Sequence, residues 1–243
     1  MTHAAPDLAG IDLVVFDKDG TLIDFDTMWA GWAVRLARSL EAATGVPMKA
    51  RLFAAIGFRP DVGGAVNGSP LGSHSMAELR RITVETVVAS GSSPGDAETI
   101  VTAAWRPPDP IGLAIPLTDL PLLFRSLRAA GMRVAVATGD DRGPTETTLR
   151  ALGVADLVDA VVTPDDGHPT KPDPAMLTHL CASLGVDPGR AAMVGDSTVD
   201  LAMARSAGFG LVGGGLSGAS ARADLEPLAD VLADSIADLV AAG

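Results

Sequence analysis

The chain has 243 residues, 47% apolar and 20% charged, enough to bury a core in one large domain or two small ones. Its net charge is −12 and its lysines are Lys18, Lys49 and Lys171, so it repels nucleic acid, and an anionic ligand must rest on local donors or a bound cation. One cysteine, Cys181, excludes an internal disulfide framework, and four scattered histidines argue against structural zinc.

No apolar run reaches the roughly 18–20 residues of a membrane helix. The first ten residues carry neither a basic start nor an apolar signal core, so a cytoplasmic location is expected. Residues 11–16 read as a buried strand that runs into Asp17-Lys18-Asp19-Gly20-Thr21-Leu22. Thr27 to Thr44 is periodic, with Met28, Trp29, Trp32, Leu36 and Leu40 on one side, and stops at Gly45. Gly57 to Ser75 is rich in Gly, Pro and Ser and reads as a loop. Ser75-Met76-Ala77-Glu78 is a capping box for a helix over 76–89, and Ser93-Pro94 opens another towards Ala104. Trp105 to Pro110 holds three prolines and reads as a return linker.

Strands and helices then alternate. Thr118 caps a helix over 119–130, followed by a strand over 132–137 and a helix from Pro144 to Leu152. A strand over 157–162 comes next. Asp173 caps a helix with Pro174 in its first position, ending at Gly185. Strands over 191–194 and 209–212 flank a helix over 198–207, and a weaker strand lies near 230–232. This order predicts a doubly wound parallel sheet. The first two strands are too far apart for one crossover helix. Residues 25–111 are therefore expected to form an inserted, mainly α-helical cap on a core made of 1–24 and 112–243.

Four signals fall where strands end, at the sheet edge where α/β folds bind ligands. Asp17 and Asp19 offer a nucleophile, a metal ligand or a proton carrier. Thr138-Gly139 is either a hydroxyl-and-amide clamp for an oxyanion or a simple turn. Lys171 precedes a helix N-terminus, which suits an anion, or is a solvated surface lysine. Asp196 and Asp200 are spaced to share one face and suit a hard cation such as Mg²⁺, or form a helix cap with a salt-bridged neighbour.

Together these stretches, DKDGT, Thr138, Lys171 and GDSTVD, resemble the four ordered motifs of the haloacid dehalogenase-like hydrolases. The chain looks closest to the phosphoglycolate phosphatase-like branch with a helical type 1 cap. The resemblance covers residues 11–24 and about 112–235 and implies a Rossmann-like core. It further implies Mg²⁺-dependent hydrolysis of a small phosphorylated metabolite, phosphoglycolate-like, through an aspartyl-phosphate. In that reading Asp17 is the nucleophile, and Asp19 is the acid and then the base. Thr138, Gly139 and Lys171 hold the phosphoryl group. Asp17, Asp19 (by its carbonyl) and Asp196 bind Mg²⁺, and Asp200 orients Lys171 or a metal-bound water. A sugar phosphomutase would share all four motifs, and a non-catalytic phosphometabolite-binding protein is a third reading. The expected partner is a small phosphorylated metabolite, with no nucleic acid and no membrane, for a monomer or homodimer.

Two departures from the family pattern stand out. Asp140 and Asp141 follow Gly139 where the family often carries Asn, so only the Thr138 hydroxyl and backbone amides are expected to act there. Lys18 separates the two first-motif acids, and strand alternation points it away from both; it either reaches the cap mouth or, as favoured here, is solvated. A phosphonatase would need a cap lysine, which only Lys49 supplies, and would lack the second acid. Substrate contacts in the cap are sought in Arg59, Asn67, Ser69, Ser73 and His74. Of these, Arg59 is expected at the surface and His74 in a helix-entry turn. Trp29 and Trp32 are expected to pack the cap.

Overall fold

The computed structural model describes residues 8–60, 64–66, 68–218 and 220–239. His3 and Asn67 lie outside them. The chain opens with strand β1 (Leu13–Phe16), then helices α1 (Phe25–Thr44) and α2 (Lys49–Ile56). A short antiparallel pair follows, β2 (Phe58–Arg59) and β3 (Gly64–Ala65), then α3 (Pro70–Ser73), α4 (Met76–Ala89) and α5 (Pro94–Ala104). The remainder alternates: α6 (Leu120–Ala129), β4 (Arg133–Ala137), α7 (Arg142–Ala151), β5 (Ala160–Val162) and α8 (Ala175–Leu184). It continues through β6 (Ala191–Gly195), α9 (Thr198–Ala207), β7 (Leu211–Gly215), α10 (Arg222–Leu225), β8 (Val231–Ala233) and α11 (Ile236–Leu239).

Six strands form a parallel sheet in the order β5-β4-β1-β6-β7-β8, so β1 lies between β4 and β6 and the order reverses there. This is the Rossmann-like, doubly wound architecture predicted from the alternation. Register pairs Phe16 with Val136 and with Val194, so the three strands end side by side. Asp17, Thr138 and Asp196 leave the sheet together for that reason.

The strand side chains alternate between two apolar layers, as a strand's two-residue period requires. Leu13 and Val15 pack with Met176, Leu180 and Leu201 from α8 and α9. Val14 and Phe16 join the other layer with Phe124 of α6, the two rings 5.2 Å apart. That layer runs on without a break into the inserted helices, through Leu22, Phe25, Trp32, Leu36 and Leu79.

Local capping accounts for most helix ends. Ser75 accepts from the Glu78 amide, and the Glu78 carboxylate accepts from Ser75 in return. Gly45 and Gly208 close α1 and α9 in the left-handed conformation. Several expected boundaries shift: β5 is only Ala160–Val162, β7 runs Leu211–Gly215, and α7 begins at Arg142 rather than Pro144. Asp119 rather than Thr118 caps α6, because its carboxylate reaches the Leu122 amide. Asp24 starts α1 ahead of the first apolar position by accepting from Thr27. Pro174, not Asp173, is the cap position of α8, and Asp173 accepts from the Ala175 amide. The stretch expected as loop between Gly57 and Ser75 also holds the β2–β3 pair and α3.

Candidate active site

The site is built where β1, β4 and β6 end. The turn after β1 folds back on itself, with the Lys18 carbonyl accepting from the Leu22 and Ile23 amides at 2.8 and 3.1 Å. Gly20 takes φ +86° in that turn, and a Cβ there would lie 2.5 Å from Asp196 Oδ2. Glycine is therefore required twice, for backbone conformation and for room. Thr21 Oγ1 donates to Asp196 Oδ1 at 3.0 Å, so the first turn fixes an acid of the fourth motif.

Lys171 enters from the loop before α8. Its Nζ donates to Asp17 Oδ1 at 2.5 Å and to Asp200 Oδ1 at 2.6 Å. Asp200 is further held by Ser197, whose hydroxyl donates to Oδ2 at 2.5 Å. All four side chains are buried. Burial raises the Asp17 carboxyl well above the ordinary carboxylate range, and nearby Asp200 and Asp196 add to this against the pull of Lys171. Burial pulls the Lys171 ammonium down, but Asp17 and Asp200 outweigh it and the net shift is upward.

Asp17, Asp196 and Asp200 each offer a carboxylate oxygen, and these lie within 4.8 Å of one another. Once Asp17 is ionised, three carboxylates against the single ammonium of Lys171 would leave two negative charges in a buried space. A divalent cation with oxygen ligands fits that donor set in both charge and chemistry.

The cavity above these groups is lined on the sheet side by Asp17, Asp19, Thr138, Gly139, Asp140 and Lys171. Thr138 Oγ1 accepts from the Asp140 amide at 3.1 Å, which leaves its own proton free to donate into the cavity. The facing wall is Phe25, Trp29, Leu71, Ser73, His74, Met76 and Leu79. A Cβ on Gly139 would lie 3.4 Å from the Ser73 carbonyl oxygen, so the backbone at 73–74 rests on the Thr138-Gly139 turn.

Residues 11–208 match the haloacid dehalogenase-like hydrolase family. The chain belongs to that family. It is 42% identical over 105 residues to a phosphoglycolate phosphatase of Rhodospirillum rubrum, covering 43% of this chain and 44% of that one, so it spans under half the length of that relative. A phosphoglycolate phosphatase of Psychrobacter arcticus is 28% identical across 83% of this chain and 82% of its own. The fold is similar to that of a predicted phosphoglycolate phosphatase from Haemophilus somnus. The TM-score is 0.68 and the identity 21%, over 96% of this chain and 97% of that one.

In this haloacid dehalogenase-like hydrolase, the sequence-derived residues Asp17, Lys171, Asp196 and Asp200 meet in one cluster. Asp19, Thr138 and Gly139 line the cavity beside it. One expectation is overturned. Lys18 is not solvated: it is 1% exposed and its Nζ lies 2.8 Å from Asp19 Oδ2 and 3.1 Å from Asp140 Oδ2. β1 stops at Phe16, so strand alternation no longer governs residue 18 once the turn begins. The signal that would have found the pair is charge complementarity, a lysine in the first motif and an extra acid in the second. His74, one of the cap candidates, stands in the turn between α3 and α4 as expected and also lines the cavity, its Nδ1 3.0 Å from Ser73 Oγ. Arg59 is exposed on β2 and Lys49 sits over the Phe53 ring; neither lines the cavity.

Proposed function

We propose that this chain hydrolyses small phosphomonoesters through an aspartyl-phosphate on Asp17, with Mg²⁺ as cofactor and residues 25–111 acting as a cap. The observation that carries this reading is the Lys171 ammonium, 2.5 Å from Asp17 at the cavity floor with the Thr138-Gly139 turn alongside. A phosphate dianion repels a bare carboxylate, so attack by Asp17 requires positive charge and fixed donors around the three non-bridging oxygens. Lys171, the Thr138 hydroxyl and the Gly139 amide supply them. Asp17 and Asp196, with the Asp19 carbonyl, would hold Mg²⁺, which supplies charge neutralisation at the transferring group. Asp200 holds Lys171 in place.

In the first half-reaction an Asp17 carboxylate oxygen bonds to phosphorus as the ester P–O bond breaks, and Asp19 gives its proton to the leaving oxygen. In the second, Asp19 takes a proton from water as the water oxygen bonds to phosphorus. The acyl-phosphate P–O bond then breaks, releasing inorganic phosphate and restoring Asp17. The wall of Phe25, Trp29, Leu71, Met76 and Leu79 limits the leaving group to a small alcohol and keeps bulk water out.

The test is phosphate release from a panel of small phosphomonoesters, phosphoglycolate included, with Mg²⁺ and then with a chelator. Release that needs the metal and disappears in Asp17→Asn is the expected result. Conversion between phosphosugar isomers without net phosphate release would overturn it in favour of a mutase.

A further inference from the structure

Lys18 has no part in the reaction above, yet it is among the most deeply buried side chains of the protein. Its Nζ meets both carboxylate oxygens of Asp19, at 3.0 and 2.8 Å, and Asp140 Oδ2 at 3.1 Å. Asp140 is itself fixed: its Oδ1 accepts from the Asp141 amide at 2.8 Å, and its own amide donates to Thr138 Oγ1 at 3.1 Å. One unbroken chain of contacts therefore joins Asp19 to the Thr138 clamp through Lys18 and Asp140.

A buried ammonium must keep an anionic partner at all times. Asp140 gives that ammonium a second carboxylate, so Lys18 is anchored on both sides, by the residue before the Gly20 turn and by the turn after β4. We propose that Lys18, anchored by Asp140, is the positioning residue that aims the Asp19 carboxyl at the leaving oxygen. The proposal rests on the phosphatase reading above.

The test compares two esters that differ in their need for a proton. Glycerol phosphate expels an alkoxide, which needs one; p-nitrophenyl phosphate expels a stable phenolate, which does not. The variants are Lys18→Met and the pair Lys18→Met with Asp140→Asn; the pair removes one cation and one anion together, so the net charge of the cluster is unchanged. In both, kcat on glycerol phosphate is expected to fall at least about tenfold further than kcat on p-nitrophenyl phosphate, with KM little changed. The pair should be no worse than Lys18→Met alone. Equal losses on the two esters, or a loss confined to KM, would overturn the proposal and leave Lys18 a merely structural ion pair. A wild-type protein that releases no phosphate from any ester of the panel, these two included, overturns the phosphatase reading, and the proposal with it.

Discussion

Lys171 Nζ stands between Asp17 Oδ1, at 2.5 Å, and Asp200 Oδ1, at 2.6 Å, so a single ammonium joins the first and fourth motifs. The two carboxylates have different work under the proposed function, one bonding to phosphorus and the other only holding the lysine. Asp200→Asn is expected to lower kcat by about 10- to 100-fold, the range for groups that orient a site from behind. Asp17→Asn should remove turnover. Steady-state kinetics on one good ester, with circular dichroism to confirm folding, separates them; losses of equal size would refute the division of labour.

The raised Asp17 carboxyl sets the sign of a pH effect. Because burial favours its neutral form, the folded metal-free protein holds more protons than the unfolded chain between the ordinary carboxylate pKa and the raised value. Stability of the metal-free protein therefore falls as pH rises through that window. A divalent cation displaces the Asp17 proton, so its stabilising effect grows over the same interval. Thermal melts across a pH series, with Mg²⁺ and with chelator, read the difference. A metal-induced rise in Tm that stays constant with pH would contradict this account.

His74 is the one imidazole in the cavity wall, and Lys171 on the floor is held between Asp17 and Asp200. A leaving group that carries a carboxylate, as in phosphoglycolate, has the His74 imidazole as a hydrogen-bonding partner among the described lining residues. His74→Ala should raise KM for phosphoglycolate by about 10-fold or more, the range for a hydrogen bond to a charged group. KM for glycerol phosphate should hardly change. Parallel changes in both would show that His74 acts through the fold of the 70–76 segment instead.

Cys181 is 2% exposed in α8, and burial, with Asp187 adding, pushes its thiol up to about 11. The thiolate is the reactive form, so iodoacetamide at about pH 8 should leave the folded protein unlabelled and react once denaturant unfolds it. Mass spectrometry reads one adduct or none. The unfolded thiol loses its proton near 9.0, so stability also falls as pH rises between that value and about 11. Rapid labelling of the native protein would show that α8 opens locally.

The sheet was legible because its strands are short apolar runs, and the site was legible because Asp17, Thr138 and Asp196 directly follow β1, β4 and β6, while Lys171 stands just before α8. Ser75 and Glu78 declared a helix start three residues apart in sequence, and the structure pairs them as expected. What escaped were contacts that depend on a turn rather than on a period. Lys18 swings to Asp140 across more than 120 residues because the chain reverses after Phe16, a bend no alternation rule encodes. Helix α2 went unseen because residues 49–56 span barely two turns. His74 and Ser73 were named from the polar loop alone, and the packing of 73–74 on Gly139 is what brings them to the cavity.

The three tryptophans form one edge-to-face row, Trp29 to Trp32 at 5.6 Å and Trp32 to Trp105 at 5.3 Å, and the chain has no tyrosine. Its near-ultraviolet emission thus originates in a single place, with Trp29 forming part of the cavity wall. The protein carries a built-in optical reporter. A ligand that enters the cavity changes the surroundings of the end indole in the row, and its arrival can be followed in real time without a label.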